Sequence, residues 1–293
     1  MAGAEGYVPV DGHRVWYRRV GDGPGTPLLT LHGGPGASHD YLEPLAMLGD
    51  DRPVVFFDQL GGGRSDRPGD PSLWRIDRFC DEVDQVRDAL GLHRVHLFGQ
   101  SWGGWLAVEY MLTRPLGIAG LVLASTSASI PQFVAEAERL KAALPPETYA
   151  IMRRHEADGS LDHPDYLAAV DLFYRRHLCR LDPWPDSLRR GGEELAVSQV
   201  YAVMNGPNEF TVTGNLKDWD RIDRLGEIDA PTLITVGRYD EVTPACARTL
   251  HDGIAGSRLV VFENSAHSAH LEEQEEYLRV LRGFLADLDR RPA

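Results

Sequence analysis

Residues 95–104 read Val-His-Leu-Phe-Gly-Gln-Ser-Trp-Gly-Gly, an apolar run followed by Gly-x-Ser-x-Gly. The pattern predicts a buried strand, a sharp turn with Ser101 at its tip, and a helix over residues 102–113. Glycines two positions before and after the serine allow the flanking chains to cross closely. Amides at the start of the helix would stabilise negative charge on an atom that the serine attacks. Ser101 is therefore the candidate nucleophile; the alternative is a serine in an ordinary glycine-rich turn.

Length and charge set the broad class of the protein. The chain has 293 residues, a length at which α/β folds often form one core with an insertion. Its formal net charge is -14. The acidic balance argues against nucleic acid or an anionic membrane as a partner. We expect no secretory leader, because residues 1–6 lack the basic and apolar pattern of one, and no apolar run is long enough to cross a bilayer. Three widely spaced cysteines, Cys80, Cys179 and Cys246, predict reduced thiols in a cytoplasmic protein.

Apolar runs between turn signals predict an α/β fold with an eight-stranded, mostly parallel sheet and helices on both faces. Two short strands joined by Asp11-Gly12 predict an antiparallel edge over residues 6–10 and 13–19. In addition to the strand before Ser101, strands are predicted at residues 28–31, 54–57, 121–124, 231–236 and 258–262. Helices are predicted at residues 78–90 and 272–288.

The middle of the chain has a different pattern, without strand-like runs. Helices are predicted there at residues 132–143, 146–155, 165–178 and 193–204. We therefore expect a helical cap over residues 130–225, inserted between strands 6 and 7, with residues 1–129 and 226–293 forming the two halves of the core. Several cap aromatic residues could line a substrate pocket, although packing inside the cap is the alternative for most: Phe133, Tyr149, Tyr166, Phe173 and Tyr201.

Two further loops are rich in glycine. Residues 32–36, His-Gly-Gly-Pro-Gly, follow a buried strand at the sheet edge where open α/β sheets place their sites. We expect an oxyanion donor from Gly33 or Gly34, beside the amide of Trp102. Residues 58–65 lack the Gly-Lys-Ser/Thr of a phosphate loop, so they predict a structural turn with an ion pair between Asp58 and Arg64.

Ser101, Asp240 and His267 occur in this order, each shortly after a predicted strand at one edge of the sheet. An imidazole can take the proton of the serine hydroxyl, and a carboxylate holds the imidazole in the required tautomer. His270 competes for the role of His267, but it lies three residues further along and is expected to be structural. The His-x-x-His spacing also suggests a metal, yet His-Glu-x-x-His is absent, so we expect no metal and no cofactor.

These motifs together resemble the proline iminopeptidase family of α/β hydrolases. The resemblance rests on residues 32–36, 58–65, 99–104 and 237–241, and it covers nearly the whole chain. Residues 204–210 and 237–244 resemble more narrowly the branch that includes the tricorn-interacting aminopeptidase. Gly62 departs from the family pattern, because many members carry a larger residue there. The resemblance implies an α/β-hydrolase fold.

It also implies a pair of carboxylates that hold the free amino terminus of the substrate, and Glu209 and Glu241 stand at the matching positions. An exopeptidase must recognise the cationic amine one residue from the scissile carbonyl, and carboxylates bind such a group by charge-assisted hydrogen bonds. Ordinary solvated acids are the alternative for both residues.

We therefore predict a cytoplasmic serine exopeptidase that releases the N-terminal residue of short peptides or aminoacyl amides through an acyl-enzyme. The nearest alternative is an amino-acid amidase, esterase or lactonase of the same fold, including one in a biosynthetic pathway. A non-catalytic binding protein is less favoured, because the triad and the glycines around Ser101 are intact. Protein partners and oligomeric state are not predicted.

Overall fold

A computed structural model describes residues 3–290, so the outermost residues of the two predicted core segments, 1–2 and 291–293, lie outside it. Eight strands form one sheet in the order β1-β2-β4-β3-β5-β6-β7-β8. Their bounds are β1 Ala4–Val10, β2 His13–Val20, β3 Leu28–Leu31, β4 Val54–Phe57, β5 Val95–Gln100, β6 Ile118–Ala124, β7 Thr232–Gly237 and β8 Arg258–Phe262.

The sheet has an antiparallel edge, as predicted. Strand β1 pairs antiparallel with β2, and β2 pairs antiparallel with β4, whereas the pairs from β4 to β8 are parallel. Asp11 and Gly12 connect the first two strands with φ of 50° and 81°. Both values lie in the left-handed region that a tight hairpin turn requires, which explains the Asp-Gly pair.

Helices cover both faces of the sheet, which confirms the α/β architecture. One apolar cluster packs α1 (Ile76–Ala89), α2 (Trp102–Leu112) and α8 (Pro244–Gly253) on one face. A second cluster packs the 3-10 helix Asp40–Leu48 and α10 (Gln274–Asp289) on the other. Strand β5 is buried along its whole length, because both of its faces are covered.

Between β6 and β7 the chain forms five helices, followed by the 3-10 helix Ile222–Glu227. They are α3 (Ile130–Ala142), α4 (Pro146–Asp158), α5 (Pro164–His177), α6 (Asp186–Ala196) and α7 (Gln199–Met204). We call residues 130–225 the cap. The prediction of one helix over residues 193–204 was wrong. Ser198 accepts a hydrogen bond from the Tyr201 amide and so begins the separate helix α7. Helix α6 begins before residue 193 and runs through Gly191 and Gly192.

The C-terminal region forms two helices instead of the single helix predicted over residues 272–288. The short helix α9 (Ala269–Glu272) is followed by Glu273, which has φ of -124° and ψ of 50° and so interrupts the helix. The carboxylate of Glu273 accepts hydrogen bonds from the Asn264 amide and the Ser265 hydroxyl, so it anchors the loop after β8. Within residues 3–290, no helix has both the length and the apolar character needed to cross a membrane.

Candidate active site

Ser101 lies at the tip of the turn between β5 and α2, with φ of 56° and ψ of -124°. The neighbouring glycines allow this geometry. A Cβ atom on Gly99 would lie 2.3 Å from the carbonyl oxygen of Gly103, and one on Gly103 would lie 2.0 Å from that of Leu31. Any larger residue would collide with backbone that cannot move aside. The turn therefore holds the serine in a strained conformation at the carboxyl end of the sheet.

The loops after β7 and β8 bring Asp240 and His267 together. Nδ1 of His267 lies 2.7 Å from Oδ1 of Asp240, and the Val242 amide donates a second hydrogen bond, 2.8 Å long, to the same oxygen. Both side chains are buried. Ser101 and His267 line one cavity of about 90 Å³. The structure thus gathers the three residues predicted as nucleophile, base and acid around one site.

Three carboxylates act on His267. Burial alone would lower the pKa of this imidazole, but the charge and hydrogen bond of Asp240, with further contributions from Glu241 and Glu209, raise it to about 9. These negative charges favour the imidazolium form of His267 at neutral pH. Anything that neutralises the two glutamates would favour the neutral imidazole that a general base requires.

His270, the competing histidine, is buried and bonds to a residue outside the predicted triad. Its Nε2 donates a 3.0 Å hydrogen bond to the carbonyl oxygen of Tyr41. Burial lowers the pKa of His270 to about 4, so the ring is neutral and carries its single proton on Nε2. This contact agrees with the structural role that the sequence predicted for His270.

The glycine-rich loop after β3 lies beside Ser101. The Gly33 amide donates a 2.5 Å hydrogen bond to the hydroxyl oxygen of Tyr41. Gly34 has φ of 46° and lines the cavity, and its amide donates to no acceptor within residues 3–290. The Trp102 amide, at the start of α2, is also without an acceptor in that range. Of the two candidates in the loop, Gly34 therefore has the free N–H.

Gln59 ties this loop to the start of α2. Its amide N–H donates to Nε2 of His32 at 3.0 Å, and its side-chain Nε2 donates to the His32 carbonyl at 3.0 Å. Its Oε1 accepts a 2.7 Å hydrogen bond from the indole N–H of Trp102. All three residues are buried. One side chain thus fixes the loop and the first residue of α2 relative to each other.

The predicted ion pair between Asp58 and Arg64 is wrong. Asp58 accepts hydrogen bonds from the amide and Nδ1 of His39, each 2.8 Å long, and from the backbone amide of Arg64 at 2.9 Å. The Arg64 guanidinium instead lies over the ring of Trp16 and 3.7 Å from Glu5. Its side chain is 51% exposed, whereas Asp58 is fully buried, so the smaller imidazole meets the carboxylate inside.

Glu209 and Glu241 come from different parts of the fold, the segment after α7 and the loop after β7. Glu209 follows α7 in the cap and lines the cavity beside Ser101. Glu241 adjoins Asp240, and its Oε2 is buried with no hydrogen-bond partner among the described residues. Burial raises the pKa of both glutamates, and each carboxylate is influenced by the positive charge of His267. A buried carboxylate oxygen without a donor is energetically costly unless a ligand supplies one.

A second cavity of about 340 Å³ adjoins the first on the cap side, and Glu209, Leu178, Trp184 and Leu195 line both. Of the five cap aromatic residues named from the sequence, Tyr201 lines this cavity. Phe133, Tyr166 and Phe173 are buried, and Tyr149 bonds to Glu138. Sequence reasoning missed Trp184 and Tyr174, because their segments gave no sign of which cap face meets the core.

Comparison with known proteins places the chain in a family. The profile of the alpha/beta hydrolase fold matches residues 26–274. A proline iminopeptidase of Saccharolobus solfataricus is 45% identical over 96% of this chain and 92% of that protein. A proline iminopeptidase of Heyndrickxia coagulans is 42% identical over 96% and 98%.

Solved structures agree with the sequence comparison. The crystal structure of the proline iminopeptidase of Mycobacterium smegmatis superposes with a TM-score of 0.92 at 40% identity, covering 98% of this chain and 99% of that one. The crystal structure of VinJ gives a TM-score of 0.94 at 41% identity, with 97% and 99% covered. The chain therefore belongs to the proline iminopeptidase family of α/β-hydrolase-fold enzymes, and it is a hydrolase of the serine type.

Proposed function

We propose that this protein is a serine exopeptidase that releases the N-terminal residue, proline or another small or apolar residue, from short peptides or aminoacyl amides. One observation carries the proposal. A buried glutamate without a hydrogen-bond donor, Glu241, adjoins the acid that pairs with His267, and a second glutamate lines the cavity beside Ser101. Such a site suits a substrate with a cation next to the carbonyl that is attacked.

In the proposed reaction, Ser101 attacks the carbonyl carbon while His267 takes its hydroxyl proton. Asp240 holds the imidazole with Nδ1 protonated, so that Nε2 can act as the base. The amides of Trp102 and Gly34 stabilise the oxyanion, and the alternative donor is Gly33. His267 then protonates the leaving amine, and a water molecule, deprotonated by the same ring, hydrolyses the acyl-serine ester.

The two glutamates give the reaction its preference for a chain end. A protonated amine between Glu209 and Glu241 would supply the donor that Glu241 lacks. It would also offset the negative charges that favour the imidazolium form of His267. An internal amide is uncharged and offers at most one N–H, so its binding would leave at least one carboxylate unpaired.

We further infer that the helices of residues 130–225 act as a cap that limits access to Ser101. The cavity of about 340 Å³ between α5, α6 and α7 would admit the substrate. We also infer a cytoplasmic location, which is supported by the three cysteines, each a buried free thiol.

The proposal is tested by measuring release from arylamides of free-amine proline, alanine, leucine and phenylalanine. N-acetyl-proline arylamide and a simple acyl ester serve as comparison substrates, and Ser101→Ala serves as the control. We expect turnover of the free-amine substrates alone among the amides, and none by Ser101→Ala. Cleavage of the ester without the amides would support the alternative esterase instead, and an inactive wild-type protein would support a binding role.

A further inference from the structure

A chain of buried side-chain hydrogen bonds links the glycine-rich loop to the backbone of His267. The Gly33 amide donates to the hydroxyl of Tyr41 at 2.5 Å, and that hydroxyl donates to Oε1 of Gln100 at 2.6 Å. Nε2 of Gln100 then donates to the carbonyl oxygen of His267 at 3.4 Å. Gln100 directly precedes Ser101, so the chain spans the three segments that meet at the nucleophile.

Each group in this chain has only one possible direction. A backbone amide can only donate, so the Tyr41 oxygen must accept from Gly33 and direct its own proton to Gln100. Burial raises the pKa of Tyr41, so the hydroxyl keeps that proton. The carbonyl oxygen of His267 can only accept, which fixes the orientation of the Gln100 amide. These hydrogen bonds therefore cannot rearrange without leaving a buried polar group unpaired.

Tyr41 is itself held from the other side. Its carbonyl accepts the hydrogen bond from His270, and the two rings pack with centroids 5.6 Å apart. Gly33 fits closely against this assembly, because a Cβ there would lie 2.6 Å from Oε1 of Gln100 and 2.9 Å from Cβ of Ser101. The loop thus packs directly against the nucleophile, and the Tyr41 hydroxyl holds its Gly33 amide in place.

We propose that Tyr41 and Gln100 are positioning residues that hold the glycine-rich loop and the His267 backbone in register with Ser101. By engaging the Gly33 amide, the Tyr41 hydroxyl leaves the Gly34 amide as the loop's donor to the oxyanion. This inference rests on the proposed function of Ser101 and His267. Neither positioning residue transfers a proton in the reaction, and each acts through the amides and the imidazole that it holds.

The test is Tyr41→Phe, which keeps the ring and removes only the hydroxyl. With proline arylamide we expect kcat to fall roughly 10- to 100-fold, because a misplaced oxyanion donor weakens transition-state binding. KM and inhibition by pyrrolidine, which has the ring amine but no carbonyl to attack, should change less than threefold. Inhibition by prolinal, which forms a hemiacetal with the serine, should weaken by about the same factor as kcat.

Tyr110→Phe is the matched control, because that buried hydroxyl bonds to Arg87 and Asp84 away from the site. It should lower Tm without changing kcat. Gln100→Met should reproduce the loss in kcat, and the double variant with Tyr41→Phe should lose less than the product of the single losses. A kcat for Tyr41→Phe within twofold of wild type, or a change confined to KM, would overturn the proposal.

Failure of the proposed function is distinguishable from failure of this inference. If the wild-type protein cleaves only aryl esters, the peptidase assignment is lost, but the same comparison is made with p-nitrophenyl acetate. Tyr41→Phe should then slow acylation by a similar factor, because an ester also develops an oxyanion. Equal ester rates for the variant and the wild type would contradict the positioning role whatever the natural substrate.

Discussion

The backbone N–H of His267 donates a 3.2 Å hydrogen bond to the carbonyl oxygen of His177, the last residue of cap helix α5. The same oxygen accepts a 3.1 Å hydrogen bond from the Glu241 amide. The imidazole Nδ1 of His177 in turn donates to the Tyr239 carbonyl at 2.7 Å. One residue of the cap therefore fixes both loops that carry the predicted base, the acid and one amine-binding glutamate.

We expect His177→Ala to weaken this link. The variant loses the hydrogen bond from its ring to the Tyr239 carbonyl, which lowers the free energy of unfolding by about 1 kcal/mol. Because Tyr239 directly precedes Asp240, kcat/KM should also fall several-fold. Urea unfolding and arylamide kinetics measure the two effects. His93→Ala, at an exposed position of the core, should change neither. If His177→Ala and His93→Ala have the same unfolding free energy and the same kcat/KM, the His177 hydrogen bond to Tyr239 contributes to neither stability nor activity.

The pH dependence of Ser101 reactivity should report the protonation of His267. Phenylmethanesulfonyl fluoride carries no amine, so the pH dependence of its reaction with the serine reports the neutral imidazole. Because the pKa of His267 is raised to about 9, the rate should be low at pH 7 and rise with pH through about 9. Stopped-time inactivation across pH 6–10 measures the midpoint.

Glu241→Gln tests whether the charge of this glutamate raises the pKa of His267. The glutamate charge favours the imidazolium form, so removing it should lower the pKa of His267 and move the midpoint to lower pH. Glu147→Gln, an exposed change in the cap, should leave the midpoint where it was. A midpoint near the ordinary histidine value of about 6.5 in all three proteins would refute the charge argument.

Two glycines should respond in opposite ways to alanine. Gly103→Ala places a Cβ 2.0 Å from the Leu31 carbonyl oxygen, so we expect a protein that folds poorly and is inactive. Gly283→Ala, at an exposed position of α10, meets no atom within 4 Å and should raise stability by up to about 1 kcal/mol with kcat unchanged. Thermal unfolding of both variants measures these changes in stability. A tolerated Gly103→Ala would contradict the account of the turn.

The sequence predicted the elements that strong local signals define. The bounds of β3, β4 and β8 agree with the predicted runs at residues 28–31, 54–57 and 258–262, because each is a short apolar segment between turns. The pair Thr243-Pro244 is typical of a helix start, and the Thr243 hydroxyl accepts from the Ala245 amide at the start of α8. The first seven residues of α6, 186–192, were missed, because Gly191-Gly192 lowers helix propensity.

The sequence predicts only those site residues that have a recognisable chemical role and a position just after a strand. Ser101, Asp240 and His267 follow strands that end at one edge, so their meeting follows from parallel topology. The contacts of Tyr41 and of His177 depend on how the 3-10 helix and the cap pack, and no local pattern encodes that. Asp58 was paired with the wrong cation, because spacing along the chain does not show that His39 is buried beside it.

The most direct test of the proposed exopeptidase compares proline arylamide with cyclopentanecarboxylic arylamide, which has the same ring without the amine. Wild-type protein should prefer the proline substrate strongly in kcat/KM. Glu241→Gln should reduce that preference roughly 10- to 150-fold, corresponding to about 1.5 to 3 kcal/mol for a hydrogen bond to a charged group. Glu147→Gln should leave the preference intact. An unchanged preference in Glu241→Gln, or equal turnover of the two substrates by the wild-type protein, would contradict recognition of the free amine.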